Sequence, residues 1–193
     1  MGRADDLLQL AEELANLHTP NHRQADLSRA VSTAYYALFH LLIFEATANW
    51  KEQTLRDTLG RIFEHHKMKS ACETRVSELN TYFDSNPPPS REQVVSIHLH
   101  WVANTFVQSQ QQRNDADYNT SKRWTDTEVA TQIASVAQAF RSWRIIRGEL
   151  AAQTLLVSML GGKERRETQA QKGTKKKKYP IPPIPVGSSL PPI

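Results

Sequence analysis

The feature that most constrains the fold is a helical spacing of apolar residues that recurs through most of residues 4–160. In one predicted helix, Val102 and Phe106 follow Val95 by seven and eleven residues, so the three share one helix face. Strand signals are nearly absent, because there are no alternating Val/Ile/Thr runs, no Asn-Gly or Asp-Gly turns and only seven glycines. The sequence therefore predicts an all-α domain.

Breaks in this pattern divide it into four principal helices and one or two shorter ones. Proline residues interrupt it at Pro20 and again at residues 87–89. The predicted helices cover about residues 4–17, 24–48, 55–64, 67–83, 91–118 and 126–160. Ser90 is placed to cap the helix that starts near residue 91, and Thr125-Asp-Thr-Glu128 fits a capping box. The last helix reaches Leu160 unless Gly148 interrupts it. Short connections favour antiparallel neighbours, which predicts an up-and-down four-helix bundle.

Charge is distributed unevenly along the chain. Residues 161–193 contain eight Lys or Arg and two acids, a net of +6, and the whole chain carries +4, so residues 1–160 carry −2. The final segment is first basic, with a Lys175–Lys178 run, and then proline-rich, and it has no burial pattern. We predict a helical domain at 1–160 and a disordered tail at 161–193.

Several classes of protein are disfavoured. A single cysteine, Cys72, excludes an intrachain disulfide, and the N-terminus is acidic and amphipathic. The longest apolar clusters fall short of the ~20 residues that a membrane span needs. Adjacent His65 and His66 would point ~100° apart on a helix, which does not suit a shared metal, and no glycine-rich phosphate loop is present. We expect a cytoplasmic protein with no membrane contact, metal or cofactor.

Polar residues on the second helix form a first candidate site. Arg29, Tyr36 and His40 lie at intervals of seven and eleven residues from the arginine and share a stripe. One interpretation is ordinary packing, because Tyr and His bury an apolar body and leave a polar tip in water. The other is that the three side chains face a polar cleft.

The end of the predicted 91–118 helix forms a second candidate. Arg113 follows Val95 by 18 residues, which places it on the same face as the apolar stripe. Arg113 and Asp117 are neighbours one turn apart, as are Asn114 and Tyr118. The pair could be an exposed ion pair of small energetic value. An arginine on an apolar stripe needs a partner, however, and one held by Asp117 could present its planar fork to a phosphate.

Three segments together resemble the HEPN domain family. They are SRAVSTAYYALFH on the predicted 24–48 helix, HHKMKSAC at the start of the 67–83 helix and RNDADY at the end of the 91–118 helix. The likeness covers about residues 5–150. The last segment is similar to the Arg-x-x-Ala-Asp-Tyr motif of a bacterial branch. The resemblance implies an antiparallel four-helix bundle, often a homodimer, with an RNA- or nucleotide-linked role in toxin–antitoxin, defence or stress systems. It also implies a nucleotidyltransferase-like partner protein, for which Tyr118 could be a modification target.

The sequence departs from the motif of catalytic HEPN ribonucleases, which is arginine, four to six residues and then histidine. Residues 114–119 contain no histidine. Arg113 can stabilise phosphate charge but cannot exchange a proton, because it stays protonated. We therefore expect an RNA- or nucleotide-binding protein with Arg29, Tyr36, Arg113, Asn114, Asp117 and Tyr118 in its site. Two alternatives stay open: a metal-independent endoribonuclease that uses Arg113 with His40, and a non-catalytic protein-interaction module.

Overall fold

Helices account for all the regular secondary structure in residues 2–17 and 23–161, the part of the chain that this computed structural model describes. They are α1 (Arg3–Asn16), α2 (Arg23–Thr47), α3 (Gln53–Gly60), α4 (His65–Asp84), α5 (Arg91–Tyr118), α6 (Asp126–Ile146) and α7 (Leu150–Met159). The all-α prediction is confirmed. The predicted tail, apart from Gly161, lies outside the described residues, as does its proline-rich segment.

Of the helices in the described residues, four are long and three are short, one more short helix than the sequence pattern indicated. The extra helix arises at Gly148, where the predicted 126–160 helix is interrupted. α6 ends at Ile146, Glu149 adopts an extended backbone, and α7 begins at Leu150. Glycine has the largest backbone entropy to lose in a helix, which favours a break at this position.

The predicted caps fix where the two helices around the α5–α6 connection begin. The Ser90 hydroxyl accepts a hydrogen bond from the Gln93 backbone N–H at 3.1 Å. In the box at the start of α6, Thr125 Oγ1 accepts from the Glu128 N–H at 3.2 Å, and Glu128 Oε2 accepts from the Thr125 N–H at 2.8 Å. Each cap satisfies backbone donors that a helix start would otherwise leave open.

The core forms around α2, which packs against α1, α5, α6 and α7. Three small residues on it, Ala30, Ala34 and Ala37, are fully buried and let neighbouring helices approach closely. By length and composition alone α2 could also cross a membrane, but 67% of its apolar window is buried inside the fold. The core helix of a soluble protein has the same composition, so this pattern does not by itself indicate a span.

The C-terminal half of α5 lies against α2, α4 and α6. Apolar residues of α5 such as Val102 and Phe106 are fully buried in the core. The polar residues that follow them on α5 therefore face helices from three different parts of the chain.

Candidate functional site

Arg113 occupies the position that helical arithmetic assigns to it. It follows the buried Phe106 by seven residues on α5, and its side chain is only 18% exposed. A guanidinium in such a place loses much of its hydration and needs compensating partners. Side chains of α2 and of the last turns of α5 provide them.

Three polar contacts hold the guanidinium. Its Nε lies 2.8 Å from Asp117 Oδ2, an ion pair in which the N–H bond is not directed at the oxygen. Nη1 donates to Asn114 Oδ1 at 3.1 Å, and Nη2 donates to the Tyr36 hydroxyl at 2.8 Å. Burial opposes the charge of Arg113, but the contacts with Tyr36, Asp117 and Tyr118 outweigh it and raise its pKa above the usual value.

Two tyrosine rings complete the surroundings of the arginine. The Arg113 guanidinium carbon lies 5.5 Å from the ring centre of Tyr36 and 5.5 Å from that of Tyr118, distances typical of cation–π contacts. Tyr118 is 72% exposed, so its ring stands at the edge of the site and not in its interior.

Asp117 is itself held by α2. The Ser32 hydroxyl donates to Asp117 Oδ1 at 2.5 Å, and the aspartate side chain is 28% exposed. Ser32 is buried, so this contact links the C-terminal turn of α5 directly to the core helix. The sequence had identified the Arg113–Asp117 pair but not Ser32, because a contact between residues 85 positions apart depends on how α2 and α5 pack.

A histidine also lies beside this cluster, and it is His65 at the start of α4. Its Nδ1 is 2.6 Å from the Tyr35 hydroxyl, its ring stacks on Phe39 at 4.3 Å, and its carbonyl accepts from Gln110 Nε2 at 3.1 Å. Burial raises the pKa of Tyr35, so the phenol keeps its proton, and it donates to Nδ1 or accepts from Nδ1–H according to the tautomer of the imidazole. Burial and the charge of Arg113 lower the pKa of His65.

His40, the histidine that the sequence favoured, is not joined to Arg113 by any hydrogen bond or ring contact. Its ring meets Phe39 edge-on. Burial lowers the pKa of His40, and so do the nearby Arg3 and His65. Arg29 is exposed and makes no hydrogen bond or ion pair with the described residues. The structure thus brings Tyr36, Asn114, Asp117 and Tyr118 to Arg113 but leaves His40 and Arg29 apart from them.

His65 and Tyr35 were missed as members of this site for a definable reason. The segment HHKMKSAC carries part of the family resemblance, and its two adjacent histidines do not suit a shared metal, but neither observation gives His65 a partner. Nothing in the spacing of His65 shows that it will face Tyr35, which lies 30 residues earlier. Within residues 2–17 and 23–161, no group of three or more His, Cys, Asp or Glu side chains could hold a metal ion.

Beside the arginine, an open depression of about 590 Å³ lies along the end of α5. It is lined by Asn114, Asp115, Tyr118, Asn119 and Thr120. Asn114 and Tyr118 also contact Arg113, so the guanidinium lies next to a space that a ligand could enter. The arrangement can bind an anion through an oriented guanidinium and can support it with tyrosine and amide groups.

No protein-family model, curated protein or solved structure matches this chain.

Proposed function

We propose that this chain is a HEPN-like protein whose Arg113 cluster binds a phosphate group of RNA or of a nucleotide. The observation that carries the proposal is the fixed, partly open guanidinium at the end of α5. Arginine has five N–H donors in a rigid fork that matches the oxygen spacing of a phosphate. A guanidinium held in place before binding loses less side-chain entropy when the ligand arrives.

The hydrogen-bond inventory of Arg113 leaves donors for such a ligand. Each terminal nitrogen carries two hydrogens, and each has one hydrogen-bond acceptor among the described residues: Asn114 for Nη1 and Tyr36 for Nη2. One N–H therefore remains on each nitrogen. Two donors on one planar group are what bidentate recognition of a phosphate requires.

The convergence of three separate segments supports the wider assignment. Tyr36 lies in SRAVSTAYYALFH, His65 opens HHKMKSAC, and Arg113 opens RNDADY. The Tyr36 hydroxyl accepts a hydrogen bond from Arg113, and the Tyr36 and His65 ring centres are 6.0 Å apart. The segments that carry the resemblance thus meet at one place. On the strength of this resemblance we propose that the fold is an antiparallel four-helix bundle and that the protein forms a homodimer. We also propose that it acts in a toxin–antitoxin, defence or stress module with a nucleotidyltransferase-like partner.

The test is RNA binding by the purified chain and by Arg113→Ala. We expect the variant to bind at least about tenfold more weakly, since charged hydrogen bonds contribute roughly 1.5–3 kcal/mol each. Arg141→Ala is the matched control, because Arg141 is an exposed arginine on α6 that contacts Gln138 and not the cluster. Unchanged affinity in a folded Arg113→Ala protein would reject the proposal.

The lysine run at 175–178 requires a second comparison, because it attracts any nucleic acid in a salt-sensitive manner. Binding is therefore measured over a range of salt with the full chain and with a chain lacking 161–193. If the Arg113 cluster is the site, the Arg113→Ala effect persists in both chains. If binding disappears with the tail, the tail was the binder.

A second candidate function is metal-independent cleavage of RNA, and the position of His65 favours it. A lowered pKa favours the neutral form of His65, and in the tautomer whose Nδ1–H donates to the Tyr35 oxygen, Nε2 can accept the proton of a ribose 2′-hydroxyl. The 2′-oxygen would then attack the adjacent phosphorus and displace the 5′-oxygen, which takes up a proton as a 2′,3′-cyclic phosphate forms. Arg113 would stabilise the charge on the attacked phosphate. Cleavage of structured RNA in EDTA should then be lost in His65→Gln and retained in His66→Gln. Loss in His40→Gln alone would assign the role to His40, as first expected.

A further inference from the structure

A second polar depression, unused by the Arg113 cluster, runs between α5 and α6. It encloses about 520 Å³, within the range usual for small-molecule sites. Asp115 lines both this groove and the depression beside Tyr118, so the two spaces adjoin at the end of α5.

The groove presents regular rows of uncharged polar groups. α5 contributes three amides at intervals of four residues, and α6 contributes three hydroxyls at the same interval. They are Asn104, Gln108 and Gln112 on α5 and Thr127, Thr131 and Ser135 on α6. The amides make no hydrogen bond with any described residue, so both their donors and their acceptors are available to a ligand. The hydroxyls of Thr131 and Ser135 donate to carbonyls of their own helix and keep lone pairs as acceptors.

An anchored aromatic ring stands at one end of the groove. Trp101 is 44% exposed, and its indole N–H donates to the Ser135 carbonyl at 3.4 Å, which ties the ring of an α5 residue to α6. Trp124, in contrast, is buried and has Lys122 Nζ 4.6 Å from its ring centre. Trp101 is therefore the ring on which a ligand could stack, and Trp124 belongs to the wall.

The charges of the groove disfavour a phosphate inside it. Lys122 is paired with Glu128 at 2.7 Å, and Asp115 makes no ion pair with the described residues. The net charge of these three side chains is negative. At its floor Gln132, 3% exposed, donates through Nε2 to the Val31 carbonyl and leaves Oε1 without a partner in the described part of the chain. An uncharged ligand with N–H donors suits this lining.

We propose that the α5–α6 groove binds an unpaired RNA base, with adenine preferred, stacked on Trp101 and read by the neighbouring amide of Asn104. A nucleobase is planar, uncharged and rich in donors and acceptors, and base–aromatic stacking is a general means of holding unpaired RNA. Asn and Gln pair with adenine through one donor and one acceptor. The inference rests on the proposed function: Trp101 and Arg113 are twelve residues, ~18 Å, apart on α5, so the base bound here and the phosphate bound at Arg113 belong to different nucleotides of one RNA strand.

Neutral nucleosides separate the two sites experimentally. We expect adenosine, titrated at millimolar concentration into the full ¹⁵N-labelled chain, to shift the Trp101 indole N–H resonance more than uridine, cytidine or guanosine does. Trp101→Ala should weaken adenosine binding about tenfold or more. Trp50→Ala is the matched control, because Trp50 is 49% exposed and lies outside the groove. Asn104→Asp should weaken adenosine binding while leaving the ring in place.

Failure of this inference and failure of the proposed function give different results. Arg113→Ala should leave adenosine binding unchanged while it weakens RNA binding. If Arg113→Ala does not weaken RNA binding, the phosphate site at Arg113 is rejected and the groove inference is judged by adenosine binding. The groove inference is overturned if none of the four nucleosides shifts the Trp101 resonance. It is also overturned if Trp101→Ala, folded by circular dichroism, binds adenosine as the unaltered chain does. A shift caused by a neutral peptide and by no nucleoside would assign the groove to a protein partner.

Discussion

The two polar regions along α5 differ in how completely their side chains are already paired. Around Arg113, hydrogen bonds and an ion pair connect the guanidinium to Tyr36, Asn114 and Asp117, and Ser32 holds the aspartate in turn. In the α5–α6 groove, the amides of Asn104, Gln108 and Gln112 have no partner among the described residues. The Arg113 cluster is organised around a single positive charge, whereas the groove presents uncharged amides that are free to bind a ligand.

The difference follows from burial. A guanidinium that is mostly removed from water must be paired within the protein, because an unpaired buried charge is strongly unfavourable. Exposed amides can bind water in the free protein and exchange it for a ligand at little cost. We therefore expect changes at Arg113 to disturb local structure as well as binding, and changes at the groove amides to disturb binding alone.

The largest expected effect comes from removing the core that both regions share. Phe106 is fully buried on α5 and its ring lies 5.5 Å from that of Tyr35. Phe106→Ala should lower the free energy of unfolding by about 3–5 kcal/mol, the usual result of a large cavity in a core. Denaturant unfolding followed by circular dichroism measures this change.

Gln108→Ala supplies the contrast on the same helix. Gln108 is exposed and lines the groove, so its removal should change stability by no more than about 0.5 kcal/mol. A destabilisation by Gln108→Ala that matched Phe106→Ala would show that the groove is part of the structural core, and the comparison between the two regions would then fail.

Whether a contact in the fold or the site could be predicted from the sequence depends on how far apart its two residues lie in the chain. The inward position of Arg113 and its pairing with Asp117 are local consequences of helix geometry, and both were predicted. So were the caps at Ser90 and Thr125, whose partners lie three residues away. The contacts of Asp117 with Ser32 and of His65 with Tyr35 join helices far apart in the chain, and helical periodicity contains no information on which residues will meet.

The pH dependence of stability should also separate the two regions. His65 and His40 have pKa values lowered by burial and nearby positive charge, so the unfolded chain binds their protons more tightly than the folded one does. The contribution of these two histidines to stability is therefore fully present above the ordinary histidine pKa. It is lost as the pH falls through the lowered pKa values. We expect the melting temperature to fall by roughly 2–4 °C between pH 7 and pH 5.

Paired histidine variants test the origin of this fall. His65→Gln should reduce it more than His66→Gln does, because the His65 ring is half-buried against Tyr35 and Phe39 whereas the His66 side chain is exposed. In the groove, Lys122 and Thr125 lower the pKa of Glu128 to about 2, so its contribution is present above the ordinary glutamate pKa and is lost only in stronger acid. Equal slopes in both histidine variants would contradict a contribution of His65 to the change between pH 5 and pH 7.

The smallest effect concerns the balance of charge at the cluster itself. Asp117 orients Arg113 but also places a negative charge beside the site where a phosphate would bind. Asp117→Asn keeps an oxygen near Nε and removes the repulsion, which is about 0.8 kcal/mol for two charges roughly 5 Å apart in water. RNA affinity should therefore rise roughly two- to fourfold. Asp115→Asn, in which the neighbouring carboxylate contacts Gln111 and not the guanidinium, should raise it less.

The sign of the Asp117→Asn result decides which role of the aspartate dominates. A rise in affinity means that Tyr36, Asn114 and Tyr118 hold the arginine well enough without the ion pair. A fall means that the ion pair supplies the orientation on which phosphate binding depends, because a freely rotating guanidinium would have to be ordered by the ligand. Filter binding of RNA at fixed salt distinguishes the two, since the repulsion weakens as salt is added whereas the loss of orientation does not.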